Sequence, residues 1–319
     1  MKIKREQGKW QEMIGTVAVI FCLIVHSGCQ EDQGAAPQPE TEQGNADSEN
    51  KAIEAIKALG GKIARDDTGN VIQVDFSGNT DIIDAGLVHL KELTNLTTLN
   101  LEDTNITNAG LVHLKELTNL TTLNLSTTNI SDAGLVHLKE LTNLTTLELS
   151  TNNISDAGLM HLREPTNLTT LNLEYTNIGD AGLVHLEELT SLTTLHISSG
   201  TKITHAGLVH FKGLTNLTTL YLEDKCISDA RLVHLKGLTN LTTLHIFGRD
   251  ISDAGLVHFK ELTNLTTLHI SDSDISDAGL VHLKDLTRLT YLDLSFATKV
   301  TKEGVMKLEA AIPNCKIKH

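Results

Sequence analysis

LKELTNLTTLNLEDTNITNAGLVH, residues Leu90 to His113, recurs almost unchanged as far as Leu294, its copies 24 residues apart and once stretching to 25. Within it Leu96, Leu99 and Leu101 bracket a short strand, with Thr98, Asn100 and Glu102 alternating to the other side. A period of two sends the leucines inward and the polar set outward. Asn105 and Ile106 turn the chain, and Thr107 or Asn108 can cap a short helix. Leu111, Leu114 and Leu117 then fall on one helical face. A single coil cannot bury its own leucines, so neighbouring coils must stack into a solenoid. The strand position recurs at Val74, Leu99, Leu123, Leu147, Leu171, Leu195, Leu220, Leu244, Leu268 and Leu292. About ten parallel strands at ~4.8 Å each give a sheet roughly 45 Å long on the concave side. Short helices on the convex side sit roughly 10 Å apart, and that difference curves the stack.

The repeat resembles the leucine-rich-repeat class, whose period and leucine offsets it shares. Its Thr-Asn-Ile-Ser-Asp-Ala-Gly-Leu turn (Thr128 to Leu135) is similar to the Asp-x-Gly-Leu turn of cysteine-containing leucine-rich repeats, with Cys226 at the cysteine position. The 24-residue length and the T-N-L-T-T-L-x-L strand look more like bacterial leucine-rich-repeat lipoproteins, those of planctomycetes included. The resemblance covers residues from about 55 to 319. It implies an α/β solenoid, a curved horseshoe with a binding surface, and leaves the ligand open. Lys51 to Asp67 is too short for an F-box, so a ubiquitin-ligase role is not carried over.

Aromatic residues are 3% of the chain, which suits layers of Leu, Ile and Val better than a globular enzyme. The formal charge is −14. The first 28 residues carry Lys2, Lys4, Arg5 and Lys9 against Glu6 and Glu12, so their removal would leave −16. Such acidity argues against nucleic acid, whose phosphates need a basic footprint. It argues equally against electrostatic adhesion to anionic lipid. Cys22, Cys29, Cys226 and Cys315 form no CxxC metal pattern and no disulfide framework. Cys226 and Cys315 lie several repeats apart, beyond bridging distance.

Residues Met1 to Lys9 are basic, and Met13 to Val25 is an apolar run of 13 residues. A bilayer span needs about 20, so this run suits a signal-peptide core. His26-Ser27-Gly28-Cys29 follows. Small residues directly before a Cys resemble a bacterial lipoprotein signal, although His26 stands where that family has Leu. The resemblance implies a signal peptide over 1–28 and a lipid on Cys29, hence a membrane-anchored protein of the bacterial cell envelope facing periplasm or cell surface. Ordinary cleavage and an uncleaved anchor are the alternatives. Residues 29–49 read as a disordered acidic tether, because Gln30 to Asn50 hold six acidic residues, no basic ones, and no Leu, Ile, Val or aromatic residue. Residues 50–319 form the repeat domain. Its N-terminal cap, 50–69, holds a helix over Asn50 to Gly60 that turns Ile53, Ile56 and Leu59 inward and stops at Gly60-Gly61. Its C-terminal cap, 300–319, holds a divergent helix from Val300 to Leu308 and a closing strand over Ile312 to Ile317. Two departures stand out. Pro165 replaces a repeat Leu and should end one helix early, and Arg231 replaces a repeat Gly, which marks a helical site rather than a left-handed turn.

Nine histidines recur on the helices, from His89 and His113 through to His282. They lie about 200° round the helix from the buried Leu and roughly 10 Å from one coil to the next. Ligands of one metal must converge within about 2.1 Å of it, so these read as a duplicated surface feature. The Asn-Leu-Thr triplets at Asn95, Asn119, Asn143 and their equivalents match a glycosylation pattern, but read better as the tight loop entering each strand. The exposed strand positions vary from copy to copy while the convex ones barely change, which points to the concave face as the binding face. Its central row reads Asp75, Asn100, Asn124, Glu148, Asn172, His196, Tyr221, His245, His269, Asp293. The candidate partner-binding residues are His196, Tyr221, Glu223, His245, Phe247, His269, Tyr291 and Asp293, since aromatic anchors dominate binding energy. His245, His269 and Asp293 share one position on successive strands, and two histidines with a carboxylate are a weak candidate metal site. There is no Gly-rich phosphate loop, nucleophile elbow or HExxH, so no cofactor is expected. The expectation is a non-enzymatic, membrane-tethered module that binds a protein or peptide. An envelope glycan or cell-wall polymer, a structural spacer, and a metal-dependent hydrolase at the His/His/Asp patch are the rival readings.

Overall fold

Each Leu-Thr-Thr-Leu-x-Leu segment buries its leucines completely: Leu96, Leu99 and Leu101 are at 0% exposure, and so are their counterparts in most coils. The computed structural model describes residues 41–163, 167–198, 203–223, 227–271 and 273–319. Cys29, the signal segment, residues 29–40 of the expected tether, Pro165 and Cys226 lie outside them. The sheet has twelve strands in sequence order. β1 is Lys62–Arg65, β2 Val71–Asp75, β3 Thr98–Asn100, β4 Thr122–Asn124, β5 Thr146–Glu148 and β6 Thr170–Asn172. β7 is Thr194–Ser198, β8 Thr219–Glu223, β9 Thr243–Phe247, β10 Thr267–Ser271, β11 Tyr291–Asp293 and β12 Lys316–Lys318. β2 to β11 are the expected parallel strands, each containing the expected residue and paired without a register slip. β1 adds an antiparallel hairpin at one end, and β12 closes the other in parallel with β11.

Most convex elements contain a 3₁₀ turn, tighter than an α-helix, Asp180–Leu186 being α-helical throughout. Residues Asp84–Glu92 and Gly110–Leu114 are 3₁₀ throughout, and Asp132–Leu135 is one α-turn that tightens to 3₁₀ over Val136–Leu138. Leucines spaced by three, as Leu111, Leu114 and Leu117 are, match three residues per turn better than 3.6. The recurring histidines are half-buried along these turns rather than fully exposed, because successive 3₁₀ turns pack closely against the next coil.

Polar side chains tie one coil to the next. The Thr before each strand donates its hydroxyl to the same Thr carbonyl one coil back, as in Thr121 to Thr97 at 3.1 Å and Thr145 to Thr121 at 3.0 Å. From Asn119 on, each Asn of the Asn-Leu-Thr triplets donates Nδ2 to a Thr carbonyl one coil back, as in Asn143 to the Thr118 carbonyl at 2.8 Å. A third ladder joins the convex turns. The Asp132 carboxylate accepts the N–H of Ser155 at 2.7 Å and also its hydroxyl, and Asp84, Asp229, Asp253 and Asp277 repeat the pattern. The Thr107 hydroxyl serves both roles, donating to Asp84 and accepting the Ala109 N–H at 3.3 Å, as Thr204, Ser252 and Ser276 cap their own turns, whereas Asn108 serves the inter-coil ladder.

The ladder explains the repeat glycine. A Cβ on Gly158 would stand 2.5 Å from the Asp132 Oδ1 of the preceding coil. The conserved shape is thus close approach, not a left-handed backbone. At one step both partners change: His205 stands where the other coils have Asp or Asn, and Arg231 occupies the glycine position of the next coil, inside the α-turn Asp229–Leu232. Without a carboxylate there, the side chain has room, and Arg231 Nη1 reaches the Ile203 carbonyl at 3.2 Å.

The ends depart from expectation in three places. Helix α1 spans Thr41–Ala58, so its first nine residues fall in the segment expected to be tether. Lys57 in its last turn suits the helix dipole. Ile53 and Ile56 are buried with Ala52, whereas Leu59 lies past the last helical residue and is 38% exposed. Gly60, at φ +83°, turns the chain, and Gly61 packs so close to Ile56 and Phe76 that a Cβ would lie 2.6 Å from the former. Helix α2 runs Lys302–Ala311, capped by Thr301, and the closing strand is Lys316–Lys318 because Ile312 still bonds back to Leu308.

Short strands end in a strained turn. Asp103, Thr127, Thr151, Tyr175 and Phe296 all have positive φ, 53–69°, at the same place in their coils. β-Branched residues pay most for that conformation. Thr151→Asn is expected to raise the unfolding free energy by about 1 kcal/mol, read from a urea melt, because Asn tolerates the left-handed region; an unchanged midpoint would mean the turn is unstrained.

Candidate functional site

The register aligns Asn172, His196, Tyr221, His245, His269 and Asp293 across β6 to β11, and continues to Lys318 on β12. What stands in this row also sets strand length. Asn100, Asn124, Asn172 and Asp293 fold their Oδ1 onto the N–H two residues on, which ends the strand after three residues. His and Tyr offer no such acceptor, and β7, β8, β9 and β10 each run five residues. Glu148 keeps the short form of the coils beside it. The sheet is therefore broadest where the rings are, which brings Phe247 onto it in register with Glu223 and Ser271.

The rings form one continuous ladder. Centroids are 4.1 Å apart for His196–Tyr221, 4.1 Å for Tyr221–His245, 3.8 Å for His245–His269 and 5.1 Å for His269–Tyr291. Tyr291 joins diagonally, since it pairs with Thr267 and Asp293 holds the next place in the row. The two central contacts are stacked, at 27° and 20°. The strand spacing, close to the thickness of an aromatic ring pair, imposes this. The faces within the stacked Tyr221–His245–His269 run are largely covered by neighbours, so this run presents ring edges, whereas His196 and Tyr291 at the ends have a ring neighbour on one side only.

Charges flank it. His196 Nδ1 lies 3.8 Å from Glu174, and His269 Nδ1 lies 3.7 Å from Asp293. Burial pushes the pKa of His196 and His269 below the usual value. His245 falls furthest, to about 4, through burial first and then the neighbouring His269 and His196. At neutral pH the ladder is uncharged. Burial would raise the Asp293 carboxyl, but hydrogen bonds from Ser295 and the Lys318 ammonium at 3.0 Å outweigh it and hold the pKa at about 2.

The sequence reading changes here in two respects. His245, His269 and Asp293, the weak metal candidate, are brought together without forming a ligand cluster: the two imidazoles stack at 3.8 Å, and Lys318 already pairs with the carboxylate. Among the described residues no group of three or more His, Cys, Asp or Glu is placed to hold a metal. Glu174 and Lys318, the charges at the two ends of the ladder, were not among the candidates. Placing the closing strand at Lys316–Lys318 would have found Lys318 in the row. A second trough, lined by Asn95, Thr97, Asn119, Thr121, Asn143 and Thr145, follows the strand entries, but most of those groups are spent on inter-coil bonds.

Family models described as leucine rich repeat match residues 92–115, 116–139, 140–162, 164–186, 190–251, 261–284 and 286–308. The chain belongs to the leucine-rich-repeat family. Comparison with curated proteins finds no match. Among solved structures, an internalin of Listeria monocytogenes is similar at 24% identity and TM-score 0.56, with 84% of this chain and 87% of that one covered. The leucine-rich-repeat ectodomain of the Arabidopsis receptor kinase HAESA, solved with an extended IDA peptide hormone, is similar at 18% identity and TM-score 0.56, covering 79% of this chain and 45% of that one. At these identities the likeness is one of fold.

Proposed function

We propose that this leucine-rich-repeat protein is a non-enzymatic module of the bacterial cell envelope, tethered by a lipid on Cys29, that binds a protein or peptide through the ring ladder on its concave face. The observation that carries the reading is the ladder itself: five rings in an unbroken row on an otherwise Asn-, Ser- and Thr-rich sheet. A packing role does not account for it, because the core beneath is complete without it: Leu220, Leu244 and Leu268 are already at 0% exposure. Edge-on polar groups suit hydrogen bonding to a polypeptide, whereas stacking on a sugar needs an open ring face. The HAESA ectodomain carries a peptide on the same fold class, which supports the reading by analogy.

The test is a pull-down from native envelope with the full chain and with Tyr221→Ala, Phe247→Ala and His269→Ala combined. Retention of a protein by the first and its loss from the second is expected. Retention of a glycan instead would favour the carbohydrate reading; equal capture by both would move the site off the concave face; capture of nothing would favour a spacer. For the anchor, Cys29→Ser is expected to leave the membrane fraction or stay unprocessed, and normal maturation with membrane retention would overturn it.

A further inference from the structure

The sign of charge is segregated across the solenoid. None of strands β2 to β11 carries a Lys or Arg. The cations of the repeats, such as Lys115, Lys139, Lys260 and Lys284, sit at the ends of the convex turns. Cations return to the sheet only on its outermost strands, as Lys62 and Arg65 on β1 and Lys316 and Lys318 on β12. Between them the concave face bears Asp75, Glu102, Glu148 and Glu174 on and around β2 to β6, then the imidazole and phenol rings of β7 to β11 with Glu223 on β8 and Asp293, paired with Lys318, on β11. Overall acidity does not produce this, because the convex face of the same chain is mixed in sign.

Resting on the concave-face reading above, we propose that the occupant is a Lys- or Arg-bearing extended polypeptide. Its cations lie over Glu102, Glu148 and Glu174, and its uncharged remainder runs along the ring edges. The spacing sets a pattern. Glu102 follows β3 and Glu174 follows β6, three strand steps or ~14 Å apart, which an extended chain covers in about four residues. Cations at positions i and i+4 therefore meet both carboxylates, and Glu148 lies between them. A run of strands without Lys or Arg, flanked by cationic strands at both ends of the sheet, also guides such a segment into one register and repels acidic polymers.

The experiment measures binding of the full chain to synthetic nine-residue peptides that differ only in two residues placed i and i+4: both Lys, both Glu or both Gln. The Lys peptide is expected to bind at least tenfold tighter than the Gln peptide, and the Glu peptide not at all. Combined Glu102→Gln, Glu148→Gln and Glu174→Gln should erase the difference between the Lys and Gln peptides. The convex control, Glu116→Gln, Glu140→Gln and Glu261→Gln, removes the same charge and should change affinity by less than twofold. Equal losses in both triple variants would overturn the proposal, since net charge alone would then explain the attraction. Equal binding of the Lys and Gln peptides, lost with Tyr221→Ala, would also overturn it while leaving the concave-face reading intact. Circular dichroism melts confirm that the variants, all at the surface, remain folded.

Discussion

Gly158→Ala is expected to lower the unfolding free energy by about 2 kcal/mol, in the middle of the range for forcing a methyl into a filled site. The new Cβ would stand 2.5 Å from Asp132 Oδ1, a group that cannot retreat without giving up the N–H and hydroxyl of Ser155. Gly237→Ala is the matched control: nothing lies within 4 Å of its Cβ, so a change within about 0.5 kcal/mol is expected. Asp132→Ala alone should cost about 1–3 kcal/mol, because it strands the Ser155 N–H. The decisive measurement is the double-mutant cycle by urea denaturation. With Asp132 removed, Gly158→Ala should cost less than half of what it costs in the parent. If the cost is the same in both backgrounds, the carboxylate is not what excludes a side chain. The coil carrying Arg231 after His205 is this double change already present in the chain.

The strand centres and the direction of stacking were legible in the sequence because they depend only on spacing, and leucine spacing in near-identical copies is unambiguous. The Asp-Ser-Gly ladder was equally present in the letters yet was read as capping and helix chemistry. Asp132, Ser155 and Gly158 belong to two different coils, and a reading that proceeds coil by coil does not pair them. The signal was the paired exception at His205 and Arg231. At the candidate site, the row His196, Tyr221, His245, His269 followed from register alone, but its chemistry did not. The same register that invites a metal between His245 and His269 also sets their rings at stacking distance, and stacked rings beside a carboxylate paired with Lys318 form no ligand cluster. β1 was missed because Lys-Ile-Ala-Arg carries no trace of the repeat, and α1 extends beyond the expected cap because a polar acidic segment reads as tether until the docking of Ile53 and Ile56 is seen.

Acidification should weaken both the fold and its binding in a window set by the ladder. For an imidazole whose pKa is lowered on folding, the unfolded chain binds more protons between the folded and unfolded values, so stability rises with pH there. For His245 the window runs from the ordinary 6.5 down to about 4: its contribution is complete above 6.5 and lost as pH falls through 4. His196 and His269 shift in the same direction, also by burial first. Because these rings are half-exposed, solvent screening reduces the His245 contribution to on the order of 1–2 kcal/mol. The carboxylates Asp293 and Asp66, held at about 2, act in a separate window: their contribution is present above 3.8 and is lost only as pH falls from there towards 2. Urea melts at successive pH values should therefore show two stages, and His245→Gln, which cannot titrate, should flatten the upper one while sparing the lower. Across the same upper window the protonated ladder would add positive charge beside Glu174, so a Lys-bearing peptide should bind more weakly at about pH 5 than at about pH 7. An upper stage of the same size in the His245→Gln variant would show that histidines of the convex turns, such as His89 and His234, carry the acid sensitivity instead.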